Sequence, residues 1–110
     1  MERSVEIIKR LQAALRFWEK DITQKRMFGG DCFMYKGKMC VGEIREKMMV
    51  RVIASKMESL LEMPHISLMD FTGKPMKEFI YVHPDGFETE EKLQFFVELG
   101  IEHAQSKTDH

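Results

Sequence analysis

The side chains with the most obvious chemistry in this 110-residue sequence are thiols, imidazoles and one carboxylate, since these groups act as nucleophiles and metal ligands. They belong to Cys32, Cys40, His65, Asp70 and His83. None of them occurs at the C-x-x-C or H-x-x-x-H spacing typical of a metal site. No catalytic triad or carboxylate pair can be assigned from spacing either, although such groups assemble in space rather than along the chain. We therefore predict no catalytic residue, no metal and no cofactor.

The distance between the two cysteines depends on the length of the turn that joins their strands. With a two-residue loop at Lys36–Gly37, Phe33 faces Cys40. Cys32 then faces Val41. With a loop one residue longer, the two cysteines lie directly opposite each other, and only this arrangement brings the sulfurs close enough to bond readily. The composition of the chain and its expected reducing compartment favour two small buried thiols over a disulfide.

Two short motifs that each end in glycine carry the candidate binding residues. They are Arg-Met-Phe-Gly-Gly at 26–30 and Met-Asp-Phe-Thr-Gly at 69–73. On a structural interpretation, the two glycines of the first motif adopt positive φ at a hairpin turn and the phenylalanines are buried. Arg26 then pairs with Asp70 or caps a loop carbonyl. On a functional interpretation, Arg26, Asp70 and Thr72 converge as an exposed patch for a ligand or partner.

The structural interpretation is favoured, because glycine at turns and phenylalanine in cores are the usual case. The complete candidate patch consists of Arg26, Phe28, Gly29, Gly30, Arg51, Asp70, Thr72 and Gly73.

The charge distribution is uneven although the net charge is −1. From residue 24 to residue 53, seven lysines and arginines face three acidic residues, whereas from residue 54 onward five basic residues face eleven acidic ones. Two solvated faces are the favoured interpretation, and head-to-tail or heterotypic contacts are the alternative. Because duplex DNA is bound by neutralising its phosphates, we expect the isolated chain not to bind duplex DNA tightly at physiological salt.

The ten methionines indicate an adaptable core or a partner-binding surface, because methionine is flexible and polarisable. A copper(I) site is a less favoured alternative, since the methionines are scattered over every element. Glu2, Arg3 and Glu6 interrupt any apolar run that would resemble a signal peptide. No segment approaches the roughly 18 apolar residues of a membrane span. We therefore expect a cytoplasmic protein with reduced thiols and no membrane contact.

The N-terminal segment has the pattern of an amphipathic helix. Apolar residues recur at spacings of three and four, at Val5, Ile8, Leu11, Leu15 and Trp18. With Ser4 as its N-cap, this pattern predicts a helix from Val5 to Lys20. The next stretch, from residue 25 to residue 52, predicts four short antiparallel strands. Their turns are expected at Gly29–Gly30, Lys36–Gly37 and Glu43–Lys47.

The second half of the chain predicts elements that cover these strands. Ser55 and Glu58 have capping-box spacing, which predicts a short helix that ends before Pro64. A loop is expected over 65–75, a fifth strand over 79–82, and a last helix capped by Thr89. The prediction is one α+β domain over residues 1–104, in α-β-β-β-β-α-β-α order, followed by a flexible tail over 105–110.

Several motifs, in the same order along the chain, resemble the N-terminal domain of the TfoX/Sxy family. They are Arg26-Met27-Phe28-Gly29-Gly30, Phe33-Met34, Gly37-Lys38-Met39, Gly42, Met49-Val50-Arg51-Val52, the segment 69–76 and Tyr81-Val82. The resemblance implies a curved antiparallel sheet of about five strands with helices packed on it, similar to type III secretion chaperones. It also implies a link to regulators of bacterial competence and DNA uptake, here as an N-terminal domain without the helical C-terminal domain of longer members.

The function expected from the sequence is therefore a non-enzymatic regulatory or adaptor domain that acts through protein contacts as a homodimer. The alternatives are a module that binds a small ligand or a metal through the 26–30 and 69–73 motifs, and an uncharacterised enzyme.

Overall fold

A computed structural model describes residues 5–27, 29–71 and 74–108, without the side chains of residues 27, 70–71, 74–76 and 108. Its helices are α1 (Val5–Ala14), α2 (Ala54–Leu61) and α3 (Glu90–Thr108), with short 3₁₀ helices at Arg16–Asp21 and Pro84–Gly86. Its strands are β1 (Ile22–Met27), β2 (Gly30–Tyr35), β3 (Lys38–Ile44), β4 (Lys47–Arg51), β5 (Ile66–Phe71) and β6 (Lys74–Val82).

The six strands form one open antiparallel sheet in the order β1-β2-β3-β4-β6-β5. Alternate residues of a strand point to opposite faces, so Met48 and Val50 pack with the helices while Met49 packs on the other face. All three helices contribute side chains to the first of these two apolar clusters, and only strand residues form the second. The α+β class predicted from the sequence is confirmed.

Two hairpins close through pairs of residues with positive φ, the geometry that matches the twist of antiparallel strands. Lys36 and Gly37, with φ of 50° and 83°, form the predicted two-residue turn. The turn predicted over 43–47 is tighter than expected and consists of Arg45 and Glu46. The backbone N–H of Glu46 donates to the Glu43 carboxylate at 2.8 Å, which stabilises this turn.

The predicted helix from Val5 to Lys20 is wrong in its second half. The α-helix ends at Ala14, and a 3₁₀ segment with a non-helical Trp18 leads into β1. Leu15 is buried, and the backbone N–H of Lys36 donates to the Asp21 carbonyl at 2.8 Å. The pairing of β1 with β2 therefore sets where the chain must leave the helix, and apolar periodicity does not report it.

The loop predicted over 65–75 is also wrong, because this segment contributes β5 and the first part of β6. The sheet has six strands, so the order is α-β-β-β-β-α-β-β-α. Leu68 pairs with Ile80 and Asp70 with Pro75 across a bulge, and this pairing overrides the glycine and proline signals of the segment. The Ser55 capping box is not formed, since α2 begins at Ala54 and its N-cap makes no side-chain bond.

The last helix begins as predicted and continues further than predicted. Thr89 Oγ1 accepts the N–H of Lys92 at 3.1 Å, and the predicted inward residues are buried, at Leu93, Phe96, Val97 and Ile101. Residues 105–108, expected to be a flexible tail, continue α3. Ser106 Oγ donates to the His103 carbonyl at 2.6 Å, and Ala104 is fully buried, so this last turn is tied to the core. Ser4 and residues 109–110 lie outside the described residues.

Helix α3 approaches the sheet closely at Gly100. The β2–β3 pairing contains a bulge, because Phe33 pairs with Val41 and Met34 with Met39, which leaves Cys40 as the extra residue. Gly100 of α3 lies directly on this bulge: a Cβ there would overlap the Cys40 carbonyl and approach Val41 Cγ1 to 2.8 Å. The absence of a side chain at this position allows α3 to rest on the backbone of β3.

Gly100→Ala is expected to lower the free energy of unfolding by about 1–2 kcal/mol. Alanine normally improves a helix over glycine by about 1 kcal/mol, but a methyl group that overlaps a backbone carbonyl in a close-packed core costs about 2–3 kcal/mol. Urea denaturation measures the difference. Glu98→Ala on the exposed side of the same helix is the control and should change stability little. A Gly100→Ala protein as stable as the wild type would show that α3 does not contact β3 in this way.

Candidate interaction site

The structure separates the residues of the predicted patch. Arg26 lies on β1 and Asp70 on β5, which are the two edge strands of the sheet with four strands between them. Arg26 Nε instead lies 3.9 Å from Asp31 Oδ1 on the neighbouring strand. The predicted pairing of Arg26 with Asp70 is therefore wrong. Phe28, Thr72 and Gly73 lie outside the described residues, and the role of the patch stays a prediction.

Two acidic residues missed by sequence reasoning lie beside Arg26. Asp31 and Glu43 are directly opposite each other on β2 and β3, and they are only 2% and 1% exposed. Glu43 Oε2 accepts a backbone N–H in the adjacent turn, and Asp31 Oδ1 faces the Arg26 guanidinium. Their position within strands that are otherwise apolar was the signal available in the sequence. Because buried carboxylates need such partners, both acids act here in fixing the strand ends.

The two glycines of the Gly29–Gly30 turn have different structural roles. Gly29 has a φ of 82° and open space around it, as predicted. Gly30 does not adopt positive φ, and a Cβ there would overlap the Glu43 carbonyl and approach Ile44 Cβ to 3.0 Å. The prediction is thus confirmed for Gly29 and wrong for Gly30, where glycine allows β2 to lie close to β3.

The two cysteines are free, fully buried and packed in different clusters. The turn is the two-residue one, but the bulge shifts the register, so Cys32 faces Gly42 rather than Val41. Cys40 packs under the helices, and its thiol donates to the Phe33 carbonyl at 3.2 Å. Burial raises the pKa of Cys32 to about 11 and that of Cys40 to about 12. Neither thiol is therefore available as a thiolate nucleophile at neutral pH.

His103 on α3 is a buried imidazole that the sequence analysis did not single out. It is fully buried, and its Nε2–H donates to Glu78 Oε1 at 2.7 Å. Nδ1 is buried and has no hydrogen-bond partner among the described residues. Burial lowers the pKa of His103, and the hydrogen bond from His103 lowers the pKa of Glu78. The charge of Arg51, a member of the predicted patch, lowers both pKa values further.

A concave surface lies at the N-terminal half of α3, away from the predicted patch. This surface, called here the α3 groove, is bounded by residues 63–65, the 3₁₀ helix at Pro84–Gly86 and residues 88–96, and it encloses about 720 Å³. Met63 and Phe95 line it and are 40% and 48% exposed, so two large apolar side chains face solvent at one concavity. Asp85, Glu88 and Glu91 also line it.

Comparison with known families identifies the domain. The model of the TfoX N-terminal domain matches residues 13–104. The chain belongs to this family. As a TfoX N-terminal domain it is of a regulatory type, similar to regulators of bacterial competence and transformation. No curated protein matches the chain. Within the described part of this TfoX domain, no helix combines the length and the apolar character needed to cross a membrane.

The contrast between Gly29 and Gly30 gives a paired prediction. Gly29→Ala is expected to cost about 1 kcal/mol, the strain of placing an L-residue in left-handed backbone. Gly30→Ala is expected to cost more, about 2–3 kcal/mol, because its methyl group overlaps the backbone of β3. Gly29→Asn should be tolerated better than Gly29→Ala, whereas Gly30→Asn should be at least as harmful as Gly30→Ala. Urea denaturation of the four variants tests this order, and a larger loss at Gly29 than at Gly30 would contradict it.

The buried His103 makes the stability of the fold dependent on pH. Because its pKa is lower in the folded chain than the ordinary 6.5, the unfolded chain binds the proton first. The stability that the neutral imidazole contributes is therefore complete above pH 6.5 and is lost as the pH falls through the lowered pKa. Urea unfolding at a series of pH values is expected to show this decline. His103→Gln should flatten it, and His65→Gln, at an exposed position, should not. Equal slopes in the wild type and His103→Gln would contradict the assignment.

Proposed function

We propose that this TfoX N-terminal domain is a non-enzymatic regulatory or adaptor domain that binds another protein through the α3 groove. The observation that carries the proposal is the pair of large apolar side chains, Met63 and Phe95, held half-exposed in the same concavity, the α3 groove. Exposed apolar anchors in a concave, polar-rimmed surface are typical of protein–protein contacts. The domain acts in the cytoplasm, where its two buried thiols stay reduced.

Protein binding is better supported than ligand binding by the two glycine motifs. The small-molecule or metal module considered from the sequence needs residues 26–30 and 69–73 to meet, and Arg26 and Asp70 of these segments lie on opposite edge strands. Enzymatic chemistry is less supported still, because the two thiols are buried with raised pKa values and the His103 imidazole is buried with its pKa lowered. Homodimer formation and the absence of tight duplex DNA binding remain part of the proposal.

Capture of partners from cells that express the protein naturally tests the proposed function. The tagged wild type, Phe95→Asp and Phe17→Asp are compared after mild crosslinking. Phe17 is 87% exposed and does not line the α3 groove, so its substitution is the matched control. The wild type and Phe17→Asp are expected to retain the same partner, and Phe95→Asp to lose it at least about tenfold, as expected for a central apolar anchor. Met63→Asp serves in the same way if Phe95→Asp melts early.

Native mass spectrometry of the purified protein tests the ligand-binding alternative. Retention of a small molecule or metal, with no protein partner captured by the wild type, would favour the ligand-binding alternative. Equal capture by all variants would remove the α3 groove from the proposal. The same spectra report whether the chain is a homodimer.

A further inference from the structure

We infer that the α3 groove binds a basic amphipathic helix of the partner protein. This inference rests on the proposed function and adds the chemistry of the partner to it. Three features of the groove carry the inference: its apolar floor, its unpaired acidic rim and the absence of a strand edge among the elements that line it.

The floor supplies the apolar half of an amphipathic ligand's contact. Phe95 and Phe96 are in edge-to-face contact with ring centroids 5.1 Å apart, and Phe96 is anchored in the core. This contact fixes the orientation of the exposed Phe95 ring, which lines the groove together with Met63. A rigid aromatic ring facing a flexible thioether is a suitable surface for leucine-sized side chains.

The rim supplies the charge that selects a basic partner. Asp85, Glu88 and Glu91 make no salt bridge within the described residues, and Lys92 is the one lysine or arginine that lines the groove there. Two other acids of α3 are paired within the protein. Glu90 pairs with Arg10 at 3.0 Å, and Glu102 pairs with Lys56 at 2.8 Å.

The dipole of α3 also favours an acid at Glu91, in the first turn of the helix, whereas Asp85 belongs to the separate 3₁₀ helix at Pro84–Gly86. Unpaired acids around an apolar floor are complementary to lysine and arginine on the flanks of an apolar stripe.

The elements that line the groove favour a helical partner over an extended one. An extended peptide binds by adding to a free strand edge, and the groove is lined by helical and turn residues. The extension of β5 beside the groove is already paired with the extension of β6, since the His83 N–H donates to the His65 carbonyl at 2.8 Å. The groove extends along α3 from Glu91 to Phe96, about one and a half helical turns or roughly 8 Å. One to two turns of a partner helix fit this length.

The probe for the inference is a fluorescein-labelled leucine–lysine amphipathic helix of about five turns. Fluorescence anisotropy measures its affinity for the full chain at low and high salt. Glu88→Gln/Glu91→Gln is expected to weaken binding about tenfold, the loss expected for two exposed ion pairs. Phe95→Ala should weaken binding of the peptide by a similar factor, because it removes an apolar contact from the floor of the groove. Added salt should weaken the wild type more than the charge variant.

A matched control removes the same charge elsewhere. Glu6→Gln/Glu19→Gln neutralises two exposed acids that do not line the groove, and it should change affinity by less than about twofold. Equal losses in the two double variants, or equal binding of a peptide with glutamate in place of lysine, would overturn the inference. So would self-association of the wild type in sedimentation velocity that the groove variant abolishes, because the occupant would then be a second copy.

The two tests fail separately. If the wild type does not bind the basic peptide but captures a partner that Phe95→Asp loses, the inference is overturned and the proposed function stands. If the peptide binds through the groove while the wild type captures no protein from cells, the groove chemistry is supported and the proposed function fails.

Discussion

The packing of α3 on the bulge of β3 is the constraint on which the rest of the structure depends. Gly100 brings the helix backbone against the Cys40 carbonyl, and this contact fixes both the height and the position of α3 on the sheet. The helix buries Leu93, Phe96 and Val97 on one side of the contact and places His103 against Glu78 on the other. The same placement presents the start of α3 to residues 63–65 and creates the α3 groove.

The sheet is buried on both faces, which is demanding for a chain of 110 residues. The helices cover one face. The other face holds the second cluster, in which methionine predominates, at Met34, Met39, Met49 and Met69. Methionine suits this cluster because an unbranched, flexible side chain fills irregular space between strands. Most of the methionine excess therefore has a structural explanation, and the exposed Met63 stands apart from it as a functional candidate.

The fold places part of the uneven charge of the sequence at one surface, the α3 groove. The acidic C-terminal half contributes Asp85, Glu88 and Glu91 to the rim of the α3 groove, where they make no salt bridge within the described residues and lie next to exposed apolar side chains. The salt bridge between Arg10 and Glu90 in the same region stabilises the fold instead. Arg10 binds Glu90 and donates to the Phe87 carbonyl at 2.7 Å, which holds the chain just before α3 against α1. Some acidic residues of this region therefore stabilise the fold through internal salt bridges, and others line the α3 groove.

The sequence by itself determined the class of the fold, the family, the tight turn at Lys36–Gly37, the left-handed Gly29 and the cap and inward face of the last helix. These features are local, since they depend on hydrogen bonds and apolar periodicity within a few residues. The end of the first helix, the β5–β6 hairpin and the close packing at Gly30 depend on strands that are distant in sequence. The same holds for the separation of Arg26 from Asp70 and for the α3 groove, because strand order and helix placement, rather than residue type, decide which side chains meet.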